Sequence, residues 1–309
     1  MFWKKKQSGI IIQCPTCEWN PDGDKHWGCS CGYRWNTFKT KAKCPKCKTQ
    51  WEDTRCPACG TSTPHPNWYK TKEEIDLIES SGDQNLRAKK KSLESRLISY
   101  GIKNYRVGYL PYLDHTNEKF QSEYEAGCRM MILYAISTVA HNLAERDTLI
   151  GWFKDEKIWD KVSPNEREFL IDLTPNEKTL MDMSWRIEGA LTLGWCLKNT
   201  ESLPRLDNDK NDKSFEELQQ NLPEIGEALT PFLTQLKYRD FDEIYEENLL
   251  NEMATTYFRD LMFNGKKDKT RINRFTSFER HYVLNWLRTQ YADTGETTGE
   301  SWDETDTST

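Results

Sequence analysis

Eight of the chain's ten cysteines fall within its first 59 residues as four tight pairs: Cys14 and Cys17, Cys29 and Cys31, Cys44 and Cys47, Cys56 and Cys59. Thiolates two or three residues apart on a turn can grip one ion together. Two pairs complete a closed four-sulfur shell, so eight cysteines suffice for two zinc ions. Eleven residues separate Cys17 from Cys29 and eight separate Cys47 from Cys56, each gap suited to a short hairpin that returns to the same ion. Twelve residues between Cys31 and Cys44 are enough for a linker. The spacing therefore predicts sequential sites: Cys14, Cys17, Cys29 and Cys31 on one ion, and Cys44, Cys47, Cys56 and Cys59 on the other. An interleaved cross-brace, with alternate pairs sharing an ion, stays open.

Disulfides would need an oxidising compartment, and a cytosolic chain keeps its thiols reduced. The start carries three lysines, Lys4, Lys5 and Lys6, then only three isoleucines, too few for a secretory apolar core. Iron in a rubredoxin-like site is the other rival, because four-sulfur geometry suits it too. Zinc is expected, with the protein cytoplasmic. His26 and His65 lie close to the cysteines, but eight cysteines already close two shells. Gly32 and Gly60 each follow a cysteine, where a knuckle turn needs a left-handed backbone. Trp3, Trp19, Trp27, Trp35, Trp51 and Trp68 are half of the chain's twelve tryptophans and would supply the core that so small a module lacks.

Residues 1–69 hold eleven Lys and Arg against five Asp and Glu, a formal +6 that falls to about +2 once eight thiolates bind two zinc ions. The remaining 240 residues carry 32 basic and 44 acidic side chains, net −12. That balance argues against nucleic acid and against an anionic membrane surface. The longest apolar stretch, residues 130–140, is far short of the roughly twenty residues needed to span a bilayer.

Beyond the cysteines no known catalytic motif occurs. Polar residues on otherwise apolar helices remain. Arg186 and Glu188 fall in a segment with Leu180, Met183, Trp185, Leu191, Leu193 and Trp195, and His281 and Asn285 stand four apart in a second. A charge in such a helix must be paired or face a cavity. These four residues form a candidate polar site, or else a satisfied internal network. Arg186 and Glu188 lie about 200° apart around a helix axis and need different partners. Arg186 is expected to pair with Asp182 or with a carboxylate on another helix, and His281 to lie near the central helix. Cys128 and Cys196 read as buried free thiols.

The elements that must position these groups are helical. Helices are predicted near 72–80, 86–100, 118–144, 146–153, 164–172, 176–198, 224–237, 241–263 and 277–291, with 199–223 a loop. Capping boxes mark four starts: Thr71 with Glu74, Ser163 with Glu166, Thr174 with Glu177, and Thr276 with Glu279. The fold class is mainly α, a helical C-terminal domain behind a small hairpin-rich tandem zinc ribbon. The predicted divisions are a ribbon at 1–69, a linker and short helix at 70–85, an all-α domain at 86–291, and an acidic, Thr-rich tail at 292–309, disordered unless Trp302 anchors it.

Several stretches resemble a family. Ser163-Pro-Asn-Glu166, Ser184-Trp-Arg-Ile-Glu188, Glu279-Arg-His-Tyr-Val-Leu-Asn-Trp286, then Trp302-Asp303 and Asp306-Thr307 are similar to the signatures of the bacterial domain of unknown function 4272, over about residues 86–309. Gly189 stands where that pattern has alanine. The head resembles tandem zinc ribbons. Neither resemblance implies an activity. The sequence thus points to a cytoplasmic binding or adaptor protein whose head docks a protein partner. The alternatives are an enzyme with a pocket around Arg186, Glu188, His281 and Asn285, and a nucleic-acid binder using the head.

Overall fold

A computed structural model describes residues 9–103, 105–107, 110–116, 119–207, 213–263, 265–288 and 302–307. The chain is mainly α-helical, with small antiparallel strand pairs confined to its cysteine-bearing end. It divides into two compact units, Met1–Asp114 and His115–Thr309. The division falls well beyond residues 69–86, so the first two helices belong with the cysteines and not with the helical domain.

In the first unit β1 (Ile11–Ile12) pairs with β6 (Tyr69–Lys70), bringing the two ends of the head together. Inside that clasp lie two hairpins, β2 (Trp27–Gly28) with β3 (Arg34–Trp35), and β4 (Asp53–Arg55) with β5 (Ser62–Pro64). Aromatic rings fill the space between them. Trp19 and Trp68 are almost fully buried and meet edge to face at 6.4 Å. Phe38 stacks on His65 at 5.1 Å. The Trp27 indole donates to the Arg55 carbonyl, 2.8 Å away, tying one hairpin to the other. Trp35 is also buried, whereas Trp51 is exposed. Core packing therefore accounts for most of these tryptophans. Trp3 and Lys4, Lys5 and Lys6 lie outside the described residues.

Helix α1 (Lys72–Ser80) starts at the expected box, with Thr71 and Glu74 capping each other's backbone. Helix α2 (Gln84–Ser99) starts instead from Asp83, whose carboxylate accepts from two backbone N–H groups. Its buried Lys90 ammonium donates to the Cys17 carbonyl at 2.9 Å and pairs with Glu94 at 2.6 Å. A cation held there lies beside the first cysteine turn, where four thiolates would put negative charge.

The second unit is built around α3 (Glu123–His141), which packs against α4 (Arg146–Asp155), α5 (Pro164–Ile171), α6 (Glu177–Ser184) and α7 (Arg186–Cys196). Beyond these come α8 (Ser214–Asn221), α9 (Leu229–Leu233), α10 (Phe241–Phe263) and α11 (Arg274–Arg288). The single helix predicted over 176–198 breaks at Trp185. The Ser184 carbonyl there accepts from the Ser137 hydroxyl at 3.0 Å, and the Trp185 ring stacks on Phe275. The predicted loop 199–223 contains α8, which sinks Leu218 completely. Pro223 then forces the preceding residue into extended backbone and ends that helix. What was predicted as a helix over 224–237 shrinks to the short α9.

Two capping assignments also change. Asn176, not Thr174, caps α6, and α11 opens three residues early, with the Asn273 side chain accepting from the Phe275 N–H. Thr276 and Glu279 thus lie inside α11, free for other work. Trp302 does anchor the tail. It is buried against the helices, although residues 292–301 of the predicted tail, and 289–291 at the end of the last predicted helix, lie outside the described residues.

Close packing leaves little room for a side chain at Gly127, as at Gly189 and Gly194. A Cβ on Gly127 would stand 2.6 Å from Leu236 Cδ1 and 2.8 Å from Leu233 Cδ2. Gly127→Ala is expected to destabilise the helical unit by about 1–3 kcal/mol, read as a lower urea midpoint at unchanged slope.

Candidate metal centres and the buried polar network

The eight head cysteines gather into two sets, but neither sequentially nor in a cross-brace. Cys14 and Cys17 meet Cys56 and Cys59, and Cys29 and Cys31 meet Cys44 and Cys47. The pairing is nested, the first pair with the fourth and the second with the third. The β1–β6 clasp explains the error in the sequential expectation. Gap length favoured neighbours, but a strand pair spanning 58 residues brings the outermost turns together first.

Each pair sits on the same turn. The residue after the second cysteine has a left-handed backbone: Glu18 (φ 65°), Gly32 (φ 81°), Lys48 (φ 66°) and Gly60 (φ 71°). Its N–H donates back to the carbonyl of the first cysteine, as Lys48 does to Cys44 at 3.0 Å and Gly60 to Cys56 at 2.9 Å. The expected glycine knuckles are present, and two further ones are made without glycine.

Sulfurs about 2.3 Å from a tetrahedral ion lie about 3.8 Å from one another. The Sγ separations are 4.0 Å for Cys14 with Cys59, 3.7 Å for Cys17 with Cys56, 3.5 Å for Cys29 with Cys47 and 3.7 Å for Cys31 with Cys44. A disulfide needs about 2 Å. The donor sets fit a four-sulfur ion and contain no bonded pair. His26 and His65 take no place in either set. His26 bonds Asp22, and His65 lies between the Thr54 and Tyr69 hydroxyls.

In the helical unit the four candidate polar residues separate into two groups. Arg186 on α7 pairs with Glu279 on α11 at 2.8 Å, not with Asp182. Glu188, two residues on, takes the next residue of α11, Arg280, at 3.3 Å, and accepts from the Thr276 hydroxyl at 3.2 Å. The two helices are therefore joined by reciprocal charge pairs, Arg to Glu and Glu to Arg. Burial pushes the Glu279 carboxyl up from its ordinary range, with Arg186 pulling against it.

His281 and Asn285 look elsewhere. The Asn285 amide donates to the Asp306 carbonyl at 2.9 Å, and its oxygen accepts from Asn248 on α10 at 3.1 Å. His281 is fully buried beside them, and desolvation lowers its pKa to about 4. A second charged pair, missed in the sequence, joins Arg129 on α3 to Glu166, 2.8 Å apart and both almost fully buried. Glu166 also closes its capping box with Ser163. The capping signature was legible, but nothing in one sequence pointed to Arg129 as its second partner. The remaining thiols are inert: burial raises Cys128 to about 12 and pushes Cys196 higher still.

Several segments of this network, Ser163–Glu166, Ser184–Glu188 and Glu279–Trp286, are ones that resemble a family, and the family is shown. The model for the family described as domain of unknown function (DUF4272) matches residues 89–305. The chain belongs to this family. No curated protein and no solved structure matches the chain. The match begins inside α2 and so crosses the division between the two units, leaving both cysteine sets outside the family domain. Among the described residues no helix is long and apolar enough to cross a membrane.

Removing one partner of a buried pair strands the other. Arg186→Ala is expected to cost about 2–4 kcal/mol of unfolding free energy, with Glu279→Gln in the same background restoring part of it. A neutral His281 that must take up a proton on unfolding makes stability pH-dependent. Its folded pKa of about 4 lies below the ordinary 6.5, so the unfolded chain binds more protons in between. Stability from this group is full above pH 6.5 and declines as pH falls toward 4, by about 3 kcal/mol. His281→Gln should flatten that part of the stability–pH curve, measured by urea unfolding at pH 7, 6 and 5.

Proposed function

We propose that the chain is a zinc protein with two structural ions, and that it works by binding an acidic protein partner through its head. The observation that carries the metal reading is the tetrahedral spacing of two complete four-cysteine sets. Four sulfurs fill a zinc ion's coordination shell, leaving no position for water or substrate, so such ions fold the chain and do no chemistry on a ligand.

The nested pairing redistributes charge in a way that favours docking. The inner set and its turns, residues 29–51, carry six Lys and Arg and no Asp or Glu. Four thiolates and one zinc ion subtract two charges, leaving about +4 on a small lobe. Lys41, Lys43, Lys46, Lys48 and Trp51 are exposed there. Exposed basic side chains around one aromatic ring suit an acidic protein surface. The net −12 on residues 70–309 works against a long polyanion such as nucleic acid more than against an acidic patch no larger than the basic lobe. The reading as an enzyme loses its support because Arg186 and Glu188 are taken up by Glu279, Arg280 and Thr276. Cytoplasmic placement belongs with the reduced thiols that such a metal head requires.

Elemental analysis of the purified chain should give about two zinc per molecule, with Cys128 and Cys196 blocked to thiol reagents until the helices unfold. One zinc per molecule, or iron in its place, would overturn the assignment. Nucleic-acid binding is tested by titrating labelled oligonucleotides at several salt concentrations. Tight binding that weakens steeply with salt and is lost in Lys46→Glu would replace the protein partner by nucleic acid.

A further inference from the structure

The helical unit holds residues 302–307 as a groove holds a peptide. Three side chains of the helices hold three of its backbone carbonyls. The Tyr282 hydroxyl donates to the Trp302 carbonyl at 2.5 Å, the Asn285 amide to the Asp306 carbonyl at 2.9 Å, and the Arg259 guanidinium to the Thr307 carbonyl at 2.7 Å. Between these anchors the Trp302 ring fills a cage. The Arg129 guanidinium lies over it at 4.6 Å, Tyr282 meets it at 4.7 Å and Trp286 at 5.8 Å. Asp303 accepts from the Asn165 N–H at 3.0 Å, placing its carboxylate at the first turn of α5.

Backbone carbonyls held by side chains, with one aromatic and one acid between them, form the pattern of peptide recognition, here with the aromatic set into the helical core. Trp302 is 1% exposed, yet its indole nitrogen has no partner, and the Trp286 nitrogen beside it has none either. The pocket fits the ring by shape and by the cation over its face.

We propose that the helical unit carries a recognition groove for acidic Trp-Asp peptides, filled here by the chain's own C-terminal segment and open to the same segment of a second copy when that segment leaves. Charge complementarity supports the occupant. Residues 301–309 contain three acids and no base, and the first turn of α5 receives one of them, Asp303, while Arg259 holds the Thr307 carbonyl. Exchange of identical segments preserves every contact and needs no new surface. The inference stands apart from the metal reading, since the groove and the cysteine sets lie in different units.

The test uses the full chain with a protease recognition sequence substituted at positions 294–297, folded intact and then cut. A fluorescent peptide of residues 301–309 is added before and after cutting. After cutting, saturable binding is expected, at least tenfold tighter than to the uncut chain, in which the tethered segment competes at about millimolar effective concentration. Peptides with Trp302→Ala or Asp303→Ala should bind at least tenfold more weakly. Tyr282→Phe in the chain should weaken the unaltered peptide without loss of helical signal. Absence of saturable binding after complete cutting, whether the helices persist or melt, overturns the proposal, as does equal binding of the altered peptides.

Discussion

Closure of two nested sulfur shells is the constraint on which the cysteine-bearing unit depends. The outer set ties residues 14–17 to residues 56–59 and so encloses everything between, including the inner set at residues 29–47. Closing a loop of some forty residues costs several kcal/mol of chain entropy, which a metal ion bound by four thiolates can more than offset. Strands of two or three residues cannot hold that loop alone. They align the four turns, and the sulfurs lock them. The aromatic cluster of Trp19, Trp68, Phe38 and His65 then packs inside the outer loop.

The helical unit meets the opposite problem, an apolar core that has taken in charges. Arg129, Glu166, Glu279 and Arg280 are each buried by nine-tenths or more. Isolated, any of them would cost several kcal/mol. Placed as Arg129 with Glu166, Arg186 with Glu279 and Glu188 with Arg280, each charge has its opposite within 3.3 Å. Two of these pairs run in opposite senses between α7 and α11. A shift of one residue along either helix turns its side chains by about 100° and breaks both pairs, so the pairs fix register as well as contact. All of these residues lie within the stretch, 89–305, that the family model matches.

Much of this was legible in the sequence and some was not, for reasons that can be named. Cysteine pairing within each turn was readable because Cys-x-x-Cys is local, and so were the positive-φ positions at Gly32 and Gly60. Which turns share an ion depends on the β1–β6 clasp, and Ile11, Ile12, Tyr69 and Lys70 announce no such partnership. Helix existence followed from apolar periodicity, as in α3 and α10, and Thr71 and Ser163 marked two starts correctly. Thr276 with Glu279 matched the same four-residue pattern by accident. Asn273 was the better cap, and Glu279 was drawn instead into an ion pair with a residue 93 positions away. The break at Trp185 had no local signal either; it coincides with a bond from the Ser137 hydroxyl of another helix to the Ser184 carbonyl. The candidate polar residues were rightly singled out as needing partners, but opposite faces of α11 send Glu279 and Arg280 toward α7 and Asn285 toward α10 and the C-terminal segment.

The nested arrangement is tested most directly by removing cysteines two at a time and counting metal. In the double variant Cys14→Ser/Cys59→Ser the altered residues belong to one set, so one zinc should be lost and one retained, with the inner site intact. Cys29→Ser/Cys47→Ser should likewise retain one. Cys14→Ser/Cys47→Ser takes one sulfur from each set and should impair both. If instead the Cys14→Ser/Cys59→Ser chain loses both ions while Cys14→Ser/Cys29→Ser keeps one, the sites are sequential and the nested account is wrong.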